Sequence, residues 1–461
     1  MIRKFKNLVH LILAFIANII YGFPSRKIYV IGVTGTDGKT TTTNLIYHIL
    51  KESGQKVAMI STVGAAIGGK TYDIGFHVTT PSSFGLQKYI RKAVDEGNKY
   101  LALEVTSHGL DQNRIYGVKF QTAVLTNITH EHLDYHQTYE NYVKAKTKLL
   151  KNAKTTIVNR DDESYIKISN IKYQISKTQI KNQKLITYGI KKSADFTPKS
   201  FPFESKLIGE FNKYNCLAAI AMVKTLGIDD EIIRRAVKSF TPPAGRQEII
   251  YDNDFKVMID FAHTPNSFEK VLPDVAKMKK NRLIHVFGSA GKRDKTKRPL
   301  MGKASSRFAN IIVLTAEDPR NESIESIDKD IEKGIDKKFK LKDHKNYIDK
   351  DKKKNNYSIN VSKAVKSPRM VAAFDTDSSE VEEFKVRPGE ELNTNKKNIY
   401  FKIDDRKEAI NFAIKIAQKG DFVIITGKSH EKSMNYGKGE EVWDEFETAK
   451  KALAKKHAKT T

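Results

Sequence analysis

The chain has 461 residues, of which 39% are hydrophobic and 29% charged, as in a soluble globular protein of two or three domains. Cys216 is the only cysteine, so the sequence excludes an internal disulfide and a cysteine-based zinc ribbon. The formal net charge is +27, from 81 Lys and Arg residues against 54 Asp and Glu residues.

Basic charge of this size is typical of proteins that bind nucleic acids, anionic membranes or acidic substrates. Many of the lysines lie in residues 335–397 and in the segment Lys450–Lys459. They do not alternate with aromatic residues as they would in a groove for single-stranded nucleic acid. The sequence also lacks helix-turn-helix and zinc-finger spacings. We therefore expect a solvated basic surface and no nucleic-acid partner.

The N-terminus combines positive charge with an apolar run. Arg3, Lys4 and Lys6 precede an apolar stretch, Leu8–Phe23. The stretch is shorter than the roughly 20 residues of a membrane-spanning helix, and no small-residue cleavage site follows it. We expect residues 1–23 to stay on the chain, either as a helix packed on the main body or as a peripheral membrane contact. The protein is expected to be cytoplasmic, with membrane association in the second case.

Short β-branched runs alternate with helical patterns, which indicates parallel sheets covered by helices. The predicted strands of a first series are Ile28–Val33, Val57–Ile60, Tyr100–Val105, Ala123–Asn127 and Thr155–Asn159. Those of a second series are Val257–Ile259, Leu283–Phe287, Ile311–Leu314, Ile399–Ile403 and Phe422–Thr426. We predict an α/β protein with a hydrophobic segment (residues 1–26) and two domains (27–240 and 241–461). Residues 335–397, rich in Lys, Asp, Asn and Ser, are expected to be a partly disordered surface insertion.

The strongest local signal is a glycine-rich loop between the first predicted strand and a helix. It reads Gly32-Val33-Thr34-Gly35-Thr36-Asp37-Gly38-Lys39-Thr40-Thr41. Glycines let the backbone wrap around phosphate, and free N–H groups at a helix start favour anions. Lys39 can neutralise the β- and γ-phosphates of a nucleotide, and Thr40 can bind Mg²⁺. The spacing departs from the general motif at Val33, so a generic glycine-rich turn is the alternative.

Two further polar motifs follow predicted strands of the same sheet. Glu104 lies near the end of one strand, and the loop with His130, His132 and His136 follows the next. Carboxyl ends of parallel strands meet where ligands bind, and hard cations prefer oxygen donors, so Glu104 is a candidate Mg²⁺ ligand. A capping or ion-paired glutamate is the alternative. The histidine loop lacks the spacing of a helical zinc site and is either functional or a set of surface residues.

A helix predicted from Tyr139 contains one anomalous residue. Its apolar face consists of Tyr142, Val143, Lys146, Leu149 and Leu150. A buried lysine without a partner is costly. Lys146 therefore either extends its ammonium group to solvent or has a particular role.

Eleven short sequence blocks, taken in their order along the chain, resemble those of the Mur ligase family. The chain contains GTDGKTTT, TTP, EVTSHGLDQNR, TNITHEHLDYH, AKTKLL, LIGEFNKYNCLAAIA, AGRQEI, DFAHTP, GSAGKRDKTKRPLMG, EDPR and GKSHE. The resemblance covers residues 27–334 and 398–450. It implies a central ATPase domain of the P-loop type with a mostly parallel sheet, followed by a Rossmann-like C-terminal α/β domain.

The resemblance also implies roles for individual residues. ATP would bind Gly35, Thr36, Asp37, Gly38, Lys39, Thr40, Thr41, Asn212 and Arg246. Mg²⁺ would be held by Thr40, Glu104, His132 and a carbamylated Lys146, and the catalytic set would be Lys39, Glu104, His132 and Lys146. The muramoyl-peptide substrate would contact Thr79, Thr80, Thr106, Gln112 and Arg114. The incoming amino acid would contact Arg293, Asp318, Pro319, Arg320, Gly427 and Glu431.

The activity implied is ATP-dependent amide-bond formation in peptidoglycan precursor synthesis. The carboxylate of D-Glu in a muramoyl dipeptide would attack the γ-phosphate of ATP, giving an acyl phosphate and ADP. The amine of the incoming amino acid would then displace phosphate. Arg320 favours meso-diaminopimelate over L-lysine, because a guanidinium can clamp the distal carboxylate.

Three features depart from the family pattern. Only residues 1–26 stand where family members carry a uridine-binding domain, so the acceptor is either UDP-linked and held elsewhere or lipid-linked. Asp318 stands where the amino-acid motif usually has asparagine. The block Gly291-Lys292-Arg293-Asp294 replaces GDRD and adds a positive charge.

Other interpretations compete with this one. Activity like that of folylpolyglutamate synthetase is disfavoured by the TTP and SHGLDQNR blocks. A glutamine-amidotransferase partner with a four-cysteine zinc ribbon is excluded by the single Cys216. Outside catalysis, a degenerate ligase could serve as a scaffold, although Lys39, Glu104 and Lys146 are all present. We expect a monomer.

Overall fold

The computed structural model describes residues 2–75, 80–129, 131, 133–166, 183–347 and 398–458. The strands of the first sheet are β1 (Tyr29–Thr34), β2 (Val57–Ser61), β3 (Gly64–Ile67), β4 (Lys70–Tyr72), β5 (Tyr100–Glu104), β6 (Phe120–Leu125), β7 (Ala153–Asn159) and β8 (Lys184–Tyr188). Their order in the sheet is β4-β3-β2-β5-β1-β6-β7-β8. β2, β5, β1, β6, β7 and β8 are parallel, and β3 and β4 extend one edge as antiparallel hairpins.

Helices cover both faces of this sheet. They are α1 (Ile2–Ile20), α2 (Lys39–Glu52), α3 (Ser83–Asp95), α4 (Ser107–Asp111), α5 (Leu133–His136), α6 (Tyr139–Lys151), α7 (Glu210–Lys224) and α8 (Asp230–Ser239), with a 3₁₀ turn at Pro24–Arg26. Side-chain caps mark several starts, as at α6, where Thr138 accepts a hydrogen bond from the Asn141 amide. One core packs α2 and α7 against the sheet, and another packs α3 and α6 against the opposite face.

The second sheet consists of β9 (Glu248–Asp252), β10 (Lys256–Asp260), β11 (Leu283–Phe287), β12 (Ile311–Leu314), β13 (Lys340–Leu341), β14 (Ile399–Lys402) and β15 (Phe422–Thr426). Its order is β13-β14-β12-β11-β15-β10-β9, with only β9 antiparallel. The remaining elements are α9 (Pro265–Met278), α10 (Lys297–Phe308), α11 (Ile324–Glu332), α12 (Arg406–Ile416), α13 (Glu445–His457) and the hairpin β16 (Ser433–Asn435) and β17 (Glu440–Val442). Two apolar clusters fill its faces.

The predicted fold class, two mostly parallel α/β units, is confirmed. Every predicted strand is present, and Leu283–Phe287, Ile311–Leu314 and Phe422–Thr426 have the predicted bounds. The predicted division after residue 240 falls between Ser239 at the end of α8 and Glu248 at the start of β9. The two sheets are thus joined by one short segment.

The first part of the predicted insertion, residues 335–347, lies within the described residues and contains a strand. Lys340 and Leu341 form β13, which pairs in parallel with Ile399 and Tyr400, and Phe339 is buried. This pairing adds an edge strand between segments distant in sequence, which local composition does not reveal. Residues 348–397 of the predicted insertion lie outside the described residues.

The predicted N-terminal helix packs on the main body. Ala14, Ala17 and Asn18 of α1 are buried, and the helix lies against α3. None of the described helices is long and apolar enough to cross a membrane.

A buried ion pair joins the strand ends that face the first domain. Arg406, at the start of α12, is fully buried and contacts the equally buried Glu445 at 2.5 Å. The guanidinium also donates hydrogen bonds to the Ala316 carbonyl (3.0 Å) after β12 and to the Thr426 carbonyl (2.7 Å) of β15. Arg406 thus fixes the relative position of the segments that follow these strands.

We predict that Arg406→Met destabilises the second domain strongly. Removing one partner of a buried pair leaves Glu445 as an uncompensated buried charge, which costs about 3–5 kcal/mol. Arg307→Met is the control, because the Arg307–Glu269 pair is half exposed and such pairs contribute about 0–1 kcal/mol. Thermal unfolding of both variants measures the difference. Equal melting temperatures for the two variants would contradict this role of Arg406.

Candidate functional site

The glycine-rich loop connects β1 to α2 in a conformation that only glycine fits at two points. Gly38 has a φ of 80°, and a Cβ there would lie 2.1 Å from Asn215 Oδ1. A Cβ on Gly35 would lie 1.8 Å from Thr126 Oγ1. No side chain caps the start of α2, so its first N–H groups face the loop. This is the geometry of a phosphate cradle.

Glu104 lies beside this cradle, at the end of β5. It is 1% exposed and accepts hydrogen bonds from the Thr40 hydroxyl (3.0 Å) and the Thr62 amide (2.9 Å). Arg246 reaches the same hydroxyl from the far side of the cleft, with Nη2 at 3.2 Å from Thr40 Oγ1. Burial lowers the pKa of Arg246. A carboxylate, a hydroxyl and a cation therefore meet at the phosphate loop.

Lys146 is buried, so it does not extend to solvent. Its side chain is 1% exposed, its Nζ donates a hydrogen bond to the Gly35 carbonyl at 2.6 Å, and it lies 4.5 Å from the centre of the Tyr142 ring. Burial, with the nearby Lys39 charge, lowers the pKa of Lys146 well below its usual value, although Glu131 opposes the shift. Burial beside the phosphate loop thus shifts the Lys146 amine toward its neutral form.

The oxygen atoms beside the phosphate loop suit a hard cation. Among the described residues, no group of three His, Cys, Asp or Glu side chains could hold a metal ion. The Glu104 carboxylate and Thr40 hydroxyl are nevertheless adjacent oxygen donors of the kind that Mg²⁺ prefers. Lys146 as an amine does not fit such a site, whereas a carbamate on its Nζ would add two oxygen donors. His132, predicted as a further ligand, lies outside the described residues.

The residues predicted for the muramoyl peptide form a small network at α4. Thr106 caps α4 by accepting from the Gly109 amide, and its hydroxyl lies 3.1 Å from Thr80 Oγ1. Arg114 Nη1 donates to the Thr80 carbonyl at 3.1 Å. Gln112 belongs to the same segment but does not line the cleft. Thr79 lies outside the described residues.

The second domain contributes a buried lysine between two acids. Lys428 is fully buried, and its Nζ lies 2.9 Å from Asp318 Oδ1 and 2.6 Å from Glu431 Oε2. The Asp318 carboxylate also accepts from the Asn435 amide at 3.0 Å. The charge of Asp318, which departs from the family asparagine, is therefore paired inside the protein. Lys292, the other charge departure, is exposed and lies outside the cleft lining.

Glu317 is a further buried acid at this end of the cleft. Burial raises the pKa of Glu317 to about 7, against the opposing effects of Lys297 and His263. A Cβ on Gly427, whose φ is 109°, would lie 2.4 Å from Glu317 Oε2. Glycine is thus needed where β15 ends beside this carboxyl group.

The two domains enclose a cleft of about 580 Å³ that brings these groups together. Asp37 of the phosphate loop accepts from Asn266 Nδ2 (2.7 Å) and pairs with Lys270 (3.1 Å), both on α9. His263 lies 3.6 Å from Glu131 of the first domain. Burial alone would lower the pKa of His263, because it disfavours the charged imidazole. The hydrogen bond and charge of Glu131 outweigh this effect, so the pKa is raised.

Most of the predicted site residues line this one cleft. From the first domain and the segment after it they are Thr36, Asp37, Gly38, Lys39, Thr40, Thr41, Thr80, Glu104, Thr106, Arg114, Lys146, Asn212 and Arg246. From the second domain they are Arg293, Asp318, Arg320, Gly427 and Glu431. Gly35 and Pro319 are not among its lining residues, although Gly35 contacts Lys146 directly.

Sequence reasoning missed several residues in or next to the cleft. Lys428, Glu317, Lys297, His263 and Glu131 had no assigned role, although each lies inside or beside a quoted motif. The surface alternative for the histidine loop is wrong for His136, which is fully buried and packs against the Tyr142 ring. The missed residues contact partners from other parts of the chain, as His263 contacts Glu131. The spacing of residues within one motif could not identify such pairs.

Two family models match this chain. The Mur ligase middle domain matches residues 33–223, and the Mur ligase glutamate ligase domain matches residues 245–357. A curated relative from Aquifex aeolicus (strain VF5), named UDP-N-acetylmuramoyl-L-alanyl-D-glutamate--2,6-diaminopimelate ligase, is 37% identical over 429 residues, which cover 89% of this chain and 74% of the relative. The chain belongs to the Mur ligase family. Mur ligases are ATP-dependent, ADP-forming ligases that join an acid to an amino acid, the enzyme class predicted from the sequence motifs.

Further relatives agree with this assignment. A ligase of the same name from Clostridioides difficile (strain 630) is 34% identical over 464 residues, covering 96% of this chain and 82% of the relative. A solved structure of a ligase with this name aligns with a TM-score of 0.56 and 27% identity, covering 93% of this chain and 79% of that one. E. coli FolC, solved with DHPP and ADP, aligns with a TM-score of 0.61 over 96% of this chain and 93% of its own. At 16% identity, the FolC match shows a shared fold alone.

Proposed function

We propose that this Mur ligase adds a diamino acid, meso-diaminopimelate in preference to L-lysine, to the D-Glu of a muramoyl dipeptide. The observation that carries the proposal is the cleft between the two domains. It combines a phosphate cradle on one wall with a pocket of arginines and acids on the other. An acid, ATP and an amine can therefore meet there, and the similarity to diaminopimelate ligases supports the choice of amino acid.

The first step joins the acceptor to phosphate. The D-Glu carboxylate attacks the γ-phosphorus of ATP, the bond to the bridging oxygen breaks, and ADP leaves. Lys39 and Arg246, which line the cleft, would neutralise the transferred charge, and the uncapped N–H groups at the start of α2 would bind the phosphates. A bound Mg²⁺ would neutralise phosphate charge, held by Thr40, Glu104, His132 and carbamylated Lys146.

The burial of Lys146 supports the proposal that this lysine is carbamylated. Only a neutral amine adds to carbon dioxide, and the lowered pKa of Lys146 increases the neutral fraction. The addition releases one proton, and the resulting carbamate carries a negative charge where an isolated lysine would carry a positive one. The positive charge of the nearby Lys39 disfavours a protonated Lys146. The same charge would favour a negatively charged carbamate on Lys146.

In the second step, the incoming amino acid needs an unprotonated amine and a distal carboxylate that is bound by the protein. The amine of the incoming amino acid attacks the acyl carbon, phosphate leaves, and one proton is released. Arg320 and Arg293 line the second-domain wall and suit the distal carboxylate of diaminopimelate. Asp318 and Glu431 suit its distal ammonium, and Lys428 limits their combined negative charge.

A second candidate differs only in the acceptor. The muramoyl dipeptide could be linked to a lipid carrier rather than to UDP, an alternative that the apolar α1 favours because it lies against the segment that carries Gln112 and Arg114. The predicted monomer and membrane contact through residues 1–23 stay predictions. A non-catalytic scaffold stays the competing hypothesis.

Phosphate release tests the proposal directly. Purified protein with Mg·ATP should release phosphate only when both an acceptor and diaminopimelate are present, and L-lysine should support a slower rate. UDP-linked and lipid-linked muramoyl dipeptides are compared as acceptors, with mass spectrometry of the product. If neither acceptor supports phosphate release with any amino acid, the result would favour the scaffold.

We predict that Arg320→Ala raises the KM for diaminopimelate by about 10- to 100-fold, because a hydrogen bond to a charged group contributes about 1.5–3 kcal/mol. The KM for ATP should not change, since the phosphate cradle lies on the other domain. Arg307→Ala, an exposed arginine of the same domain, is the matched control. An unchanged KM for diaminopimelate in Arg320→Ala would show that this arginine does not bind the substrate.

A further inference from the structure

Helix α1 has small and polar residues toward the protein and its large apolar side chains toward the outside. Ala14, Ala17 and Asn18 are buried. Eight large apolar side chains are 39–63% exposed: Leu8, Val9, Ile12, Leu13, Phe15, Ile16, Ile19 and Ile20. We call these eight residues the outer face of α1. Surface helices of proteins in water have the opposite arrangement, with the apolar stripe toward the core.

Hydrogen bonds fix this orientation. Asn18 Nδ2 donates to the Tyr116 carbonyl at 2.8 Å, and Asn7 Nδ2 donates to the Asp111 carbonyl at 3.0 Å. Asn113 Nδ2 donates in return to the Asn7 carbonyl at 3.2 Å. Turning the helix to bury its apolar side would break these bonds and leave polar groups unpaired, which is costly. The outer face is therefore held outward by specific contacts.

An outward apolar face of this extent needs a partner. Large exposed apolar patches mark sites of interaction with proteins or membranes. The charges around α1 select between these partners. The first acidic residue of the sequence is Asp37, whereas Arg3, Lys4 and Lys6 lie at one end of the helix and Arg26 and Lys27 follow the other. Lys6 and Arg26 are exposed.

We propose that the outer face of α1 binds the surface of an anionic lipid bilayer, with the helix lying in the plane of the interface. Apolar side chains would enter the acyl boundary, and the flanking cations would pair with anionic headgroups. A second copy of the chain fits less well, because a symmetric contact between two α1 helices would bring like charges together. A spanning arrangement is not part of the proposal, since no described helix is long and apolar enough for it.

The location of α1 gives this contact a consequence. Asn7 is bonded to Asp111 and Asn113, which flank Gln112 and precede Arg114. If the proposed function holds, the acceptor-binding segment lies directly behind the bilayer contact. Membrane binding itself does not depend on the ligase activity, so it is measured without nucleotide, acceptor or amino acid.

Vesicle sedimentation with the full chain tests the inference. We expect the protein to sediment with vesicles of phosphatidylcholine and phosphatidylglycerol, to bind phosphatidylcholine vesicles several-fold less, and to dissociate partly at high salt. The double variant Ile12→Glu/Phe15→Glu should bind at least about tenfold more weakly, because burying one large apolar side chain alone accounts for more than a tenfold change. Val442→Glu, at the 97% exposed Val442 of β17, is the matched control and should bind like the wild type.

Three outcomes would overturn the inference. The wild type could stay in the supernatant with anionic vesicles, or the double variant could bind as well as Val442→Glu. Alternatively, ultracentrifugation without lipid could detect a dimer that the double variant dissociates, which would assign the outer face to a second copy. Thermal unfolding of both variants tests whether each is folded. The comparison of the two vesicle types uses the wild type alone, so it does not depend on the folding of a variant.

Discussion

The hydrogen bond from Lys146 Nζ to the Gly35 carbonyl is the contact on which the catalytic half of the molecule depends. It joins the middle of α6 to the loop between β1 and α2, and it places a basic group where solvent cannot stabilise its charge. Gly35 must be glycine because Thr126 occupies the space of any Cβ. The phosphate loop, α6 and the end of β6 are therefore joined by direct contacts.

The second domain completes this unit by polar contacts that cross the cleft. Asp37 is bonded to Asn266 and Lys270, and Arg246 reaches Thr40. Such contacts bring the phosphate side and the amino-acid side within one enclosure without fusing the two cores. Because the proposed reactants bind to different domains, the interface must both align them and let product leave. Polar contacts of this kind can break and reform more easily than a shared apolar core.

Much of the fold follows from local sequence patterns. Buried parallel strands such as Leu283–Phe287 and Phe422–Thr426 are short β-branched or aromatic runs with clear ends. Lys146 was recognisable because an ionisable residue interrupted an apolar helical face. The β13–β14 pairing was not recognisable, because it joins residues on either side of a long polar segment.

The candidate site was predictable where a motif contains its own chemistry, as in the loop from Gly35 to Thr41. It was not predictable where function depends on pairing between distant segments. Lys428 lies between Asp318 and Glu431, and only the folded chain shows that the unusual Asp318 charge is paired. The direction of α1 is a similar case. Its sequence is apolar, but the outward face is determined by hydrogen bonds from Asn7 and Asn18 to a segment about 100 residues away.

Carbon-13 NMR of the protein equilibrated with ¹³C-labelled bicarbonate tests the central claim, that the buried Lys146 amine, whose pKa is lowered, forms a carbamate. The exposed Lys144 lies on the same helix, so Lys144→Met is the control for Lys146→Met. We predict a carbamate resonance in the wild type and in Lys144→Met that is absent from Lys146→Met. A wild type without this resonance in the presence of Mg²⁺ and ATP, or a resonance that persists in Lys146→Met, would contradict the account.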